Sequence, residues 1–162
     1  MEIPDGVTVR MDGQNIVVKG PHGEVKRTLV RGVSAKVDGK SLTVACDNKA
    51  IAFTNESVLG SMLVGASQGY KKNLKFIYAH FPISLEVKGK DVMVKNFLGE
   101  KMARKTVLVG NTKVESKGQN VTISGPDKEA VGQTLANIRA AMRIRDRDAR
   151  IFQDGIYEIA GE

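Results

Sequence analysis

Five arginines fall in the twelve residues from Arg139 to Arg150, interrupted by only two acids, Asp146 and Asp148. A guanidinium group is planar, permanently charged and able to bridge two phosphate oxygens, so this density suits a partner with repeated phosphates. The same pattern also fits a solvated face in which the two aspartates neutralise their neighbours, at ~0.3–1 kcal/mol per pair. The rest of the chain adds weight to the polyanion. Over 162 residues, 25 Lys and Arg against 18 Asp and Glu leave a net charge of +7, which points to nucleic acid or an acidic membrane surface.

Other chemistries find little support. The two histidines, His22 and His80, stand 58 residues apart and suggest neither a metal pair nor an acid and base couple. The single cysteine, Cys46, makes an internal disulfide and a Cys-based zinc site impossible; it suits a reducing compartment and reads as a small buried hydrophobe. Neither a serine nor Cys46 sits in a nucleophile elbow, and no glycine pattern opens a helix directly after a strand. The glycines of "GSMLVG" at 60–65 lie inside an expected helix, where close packing accounts for them. The expectation is therefore no enzyme, no cofactor, no metal and no small-molecule substrate. "MEIPDGVTV" lacks the basic start of a signal peptide, and "VLGSMLVGA" at 58–66 is about half a bilayer span. A soluble cytoplasmic protein is expected, with no membrane partner.

The elements that must position the arginines come from an internal duplication. Val7 to Glu24 lies over Ile83 to Glu100 without a gap at a shift of 76 residues, so that Gly13 meets Gly89, Val18 meets Val94, Lys19 meets Lys95 and Gly23 meets Gly99. "GKSLTVACDNK" at 39–49 then matches "GQNVTISGPDK" at 118–128. Each copy reads as short alternating strands followed by one helix. The first helix starts after Asp47 or Asn48 and turns Ile51, Val58, Leu59, Met62, Leu63 and Ala66 mostly to one face. The second runs from about Asp127 to Arg143 with Val131, Leu135, Ile138 and Met142 in one stripe. The fold class is α+β: two tandem copies of a small antiparallel β-sheet with one helix packed on it, residues 1–82 and 83–162, the second ending in an Arg-rich extension. Arg139 and Arg143, four apart, share a helix face. The low aromatic content, 5% with no Trp, argues against stacking successive single-stranded bases and for contact with folded RNA.

"YAHFPI" at 78–83, "NFLGEK" at 96–101 and the run from Gly125 to Ile159, together with the duplication that contains them, resemble the large-subunit ribosomal protein family counted sixth in that subunit's series. The likeness covers essentially the whole chain and is to the archaeal and eukaryotic form, because bacterial members end in a Lys- and Gly-rich segment where this chain has "RDRDARIFQDGIYEI". The resemblance implies a non-enzymatic constituent of the large subunit that binds 23S-type rRNA, mainly through the second copy. It implies a place near the subunit interface, at the stalk base and the factor-binding sarcin-ricin region, beside neighbouring large-subunit proteins. Carried onto this chain, the RNA-binding residues are Lys95, Asn96, Lys101, Arg104 and Lys105 around a hairpin turn, Arg139 and Arg143 on the helix, and Arg145, Arg147, Arg150 and Gln153 in the tail. Phe152, Ile156 and Tyr157 would fold back and pack, while Phe97 and Leu98 look exposed at the turn tip. A free-standing basic scaffold for protein interaction is the alternative.

Overall fold

The computed structural model describes residues 1–145, 147, 148 and 150–159. Its backbone contacts divide into two compact units, Met1–Tyr70 with Gly125–Lys128, and Lys71–Ser124 with Glu129–Glu162.

In the first unit, β1 (Thr8–Asp12), β2 (Asn15–Gly20) and β3 (Gly23–Thr28) form one antiparallel sheet, and β4 (Val33–Asp38) pairs with β5 (Ser41–Cys46) as a separate ribbon. The alternation seen in the sequence places Ile16, Val18, Val25, Ala35 and Leu42 in the core. Helix α1 (Lys49–Gln68) covers them with Leu59, Met62, Leu63 and Ala66. Asn48 caps it, its side chain accepting the Ala50 N–H at 2.9 Å. Gly69, at φ 74°, ends it by donating its N–H to the Gly65 carbonyl. Cys46 is half-buried, not enclosed.

In the second unit, β7 (Ser84–Lys88), β8 (Asp91–Lys95) and β9 (Arg104–Val107) repeat the three-stranded sheet. The other sheet has four strands, in the order β10 (Lys113–Lys117), β11 (Asn120–Gly125), β6 (Tyr70–Ile77), β12 (Gly155–Glu158). Each copy therefore builds two small sheets where the sequence suggested one. The segment before Pro82 contributes a central strand of the second unit, and the tail contributes an edge through β12. Helix α2 (Lys128–Ala141) buries Val131, Leu135 and Ile138, and Met142 just beyond it is buried too. Thr134, also buried, satisfies its hydroxyl by accepting the Val109 N–H at 3.0 Å and pairing with Thr112 at 3.1 Å. Among the described residues, no helix is long and apolar enough to cross a membrane.

Candidate nucleic-acid interface

The charge is concentrated in one unit. The second holds sixteen Lys and Arg against ten Asp and Glu, the first nine against eight. Within the second unit three chain segments supply the candidate residues: the loop between β8 and β9, the C-terminal end of α2, and the tail before β12.

The loop is built from the inside. Asn96, in the left-handed region at φ 58°, donates its side-chain amide to the Pro82 carbonyl at 3.1 Å. A 3-10 turn follows over Phe97–Gly99, with Leu98 also left-handed at φ 52°. Phe97 is buried at 1% relative exposure and Leu98 is half-buried, so the apolar tip expected from sequence is turned inward. The Phe97 ring lies under the Arg104 guanidinium, 4.5 Å from centroid to Cζ.

Arg104 is the junction of the site. Its Nε donates to Glu100 Oε2 at 2.8 Å and its Nη2 to Glu100 Oε1, a bidentate pair. Its Nη1 donates to the carbonyls of Ala141 at 2.9 Å and Arg143 at 3.1 Å, oxygens that the end of α2 leaves without helical partners. The pair holds the Glu100 carboxyl below its ordinary range and the Arg104 guanidinium above its own, in each case through the hydrogen bond between them. Arg104 therefore ties the loop to the helix end and spends most of its donors inside the protein. Sequence position could not reveal this, because the carbonyls it meets lie 37 and 39 residues away.

The remaining candidates point outward to different degrees. Lys95 is exposed but paired with Glu86 at 2.6 Å, and the hydrogen bond from its ammonium lowers the Glu86 pKa. Lys101 and Lys105 are exposed on the loop and on β9, and Arg139 and Arg143 at the end of α2. Arg145, Arg147 and Arg150 are exposed in the tail, where Arg147 stacks on the Phe152 ring at 4.9 Å. Asp148 orders the backbone there by accepting the Arg150 N–H at 2.9 Å; Asp146 lies outside the described residues. Gln153 is exposed, donates to the Arg150 carbonyl and accepts the Tyr157 hydroxyl. Ile156 is buried and Phe152 half-buried, as the fold-back required, whereas the Tyr157 ring stays largely exposed. The geometry thus joins the loop and the helix end through one residue and brings the tail back to its sheet edge. The residue missed in sequence is Glu100, whose spacing of four from Arg104 was the available signal.

This arrangement offers cations on a preorganised backbone. Among the described residues, no group of three or more His, Cys, Asp or Glu is placed to hold a metal ion.

Comparison with known proteins gives the family. The model described as Ribosomal protein L6 matches residues 3–51 and 81–155. "Large ribosomal subunit protein uL6" of Methanocella arvoryzae is 44% identical, covering 97% of this chain and 93% of its own length. The proteins of the same name from Haloarcula marismortui and Methanobrevibacter smithii are each 39% identical, covering 97% and 100% of this chain and 92% and 94% of their own. With a family match in both halves and archaeal relatives aligned almost end to end, the chain belongs to the ribosomal protein L6 family.

Proposed function

We propose that this chain is a structural, non-enzymatic constituent of the large ribosomal subunit in the cytoplasm, and that it binds 23S-type rRNA chiefly through its second repeat. The repeats are residues 1–82 and 83–162. The observation that carries the reading is that Arg104 locks a loop and a helix end of the second repeat together, with the exposed cations Lys101, Lys105, Arg139 and Arg143 on them. Lys101, Lys105, Arg139, Arg143, Arg145, Arg147 and Arg150 are the phosphate contacts, with Asn96, Lys95 and Gln153 at the margin. Arg104 acts by positioning the others. Phosphate contacts of this kind fix register on the RNA, while shape and 2′-hydroxyls give selectivity. The site on the subunit is near its interface side, at the stalk base and the sarcin-ricin region, with neighbouring large-subunit proteins at its borders.

The test is binding of the purified protein to a transcript of the rRNA domain containing the sarcin-ricin loop, against unrelated duplex RNA, across a salt series. Selective binding that persists at physiological salt is expected. Equal affinities that vanish together as salt rises would reduce the interaction to nonspecific attraction and overturn the reading.

A further inference from the structure

The duplication supplies an internal control for the β8–β9 loop. In the first unit Val18 pairs with Val25, and six residues, 19–24, lie between them, with the pairing running on to Gly20 and Gly23. In the second, the equivalent Val94 pairs with Arg104, and nine residues, 95–103, intervene. Since Gly23 and Glu24 correspond to Gly99 and Glu100, the three additional residues are Lys101, Met102 and Ala103. The first unit closes the same sheet without them, so the fold does not require them.

What the insertion adds is a side chain in water. Met102 has 83% relative exposure, the highest value among the large hydrophobic residues described. It stands on a rigid base: Glu100 donates its N–H to the Phe97 carbonyl at 3.0 Å, and the Phe81 ring lies against Gly99. Two residues beyond, Arg104 is fixed by Glu100, Phe97 and the end of α2. Two left-handed non-glycine residues, Asn96 and Leu98, carry the backbone strain of the turn. A strained, braced loop that holds one flexible apolar side chain next in sequence to the exposed Lys101 and three residues before the exposed Lys105, in the unit with the excess positive charge, is complementary to RNA. The two ammonium groups suit phosphates and the thioether suits an apolar surface between them. In RNA that surface is the face of a base no longer covered by its stacking neighbour.

We propose that Met102 is an RNA-contact residue of this chain that seats on the face of an unstacked base, with Lys101 and Lys105 on the flanking phosphates. The proposal rests on the RNA-binding reading above and adds to it an apolar contact, whose energy is independent of salt. Phosphate contacts release counterions and therefore set the salt slope. An apolar seat changes affinity and leaves the slope alone.

Full-length protein and the Met102→Ala and Lys101→Ala variants are titrated with the same rRNA transcript over a salt series. Met102→Ala should bind about 5- to 10-fold more weakly at every salt concentration with an unchanged slope. Lys101→Ala should lower the slope by about 0.7–0.9. In parallel, hydrogen peroxide oxidation followed by mass spectrometry reads Met102 directly: its sulfoxide should form at least about five times more slowly in the RNA complex, with Met11 of the first unit as the reference. Selective parent binding with unchanged Met102→Ala affinity and unprotected Met102 overturns the assignment, leaves the RNA reading standing, and points to a protein neighbour at the tip. A parent that shows no selectivity overturns both.

Discussion

Glu100 and Arg104 show how one ion pair takes on more than its usual surface value. Their side chains are 39% and 29% exposed, so solvent screens the charge interaction, and the pair alone is worth about 0.5–1 kcal/mol. Its larger role is geometric, because the guanidinium it orients also satisfies the last carbonyls of α2. The pH dependence follows in sign. The folded-state pKa of Glu100 is lowered, so its contribution is present above the unfolded value, near ~4.3, and is lost as pH falls through the depressed folded value. Glu100→Gln should therefore lower the Tm at neutral pH, while the gap to the parent narrows as pH falls below the ordinary glutamate range; thermal melts from neutral to acidic pH measure it. Arg104→Lys keeps the charge but not the fork, and it should destabilise by about 1–2 kcal/mol in denaturant titrations. Its effect on RNA binding should appear as lost affinity with little change in salt slope, which separates a positioning residue from a phosphate contact.

The two helices differ at the level of elements in what their glycines do. A Cβ on Gly65 in α1 would overlap the Pro126 carbonyl oxygen and crowd the Tyr70 ring at 2.8 Å. Gly132 in α2 has open space around it. Gly65→Ala should cost more than about 3 kcal/mol, and Gly132→Ala should stabilise by about 0.5–1 kcal/mol through helix propensity; chemical denaturation of the two variants checks both. The contrast also marks what sequence could reveal. The strand alternation at 15–20 and 91–95, the Asn48 cap and the α2 stripe from Val131 to Met142 are local signals, and they appear where expected. The pairing of β12 with β6 was hidden, since Ile156 meets Phe76 across 80 residues of chain. So was the inward turn of Phe97, which looked exposed because its cover, Arg104, was read as a ligand for something else. The arginines themselves were legible as a cluster; which of them faces solvent was decided by tertiary partners.

For the whole molecule, the division of charge makes a prediction that net charge alone does not. Arg143, Arg145 and Arg147 lie in the basic unit; Arg10, Lys26 and Lys36 are exposed cations of the nearly balanced one. Replacing either trio by Ala removes the same formal charge. If attraction depended on total charge, the two triple variants would bind rRNA with equally reduced affinity and salt response. Localised phosphate contacts make them differ. The second-unit variant should lose up to about 2–2.7 from the magnitude of the log–log salt slope, at 0.7–0.9 per contact, whereas the first-unit variant should change it by less than about 0.5. Both sets of side chains are on the surface, so matching melting temperatures would exclude misfolding as the cause. Equal slopes for the two variants would place the interaction in the long-range field and remove the tail arginines from the interface.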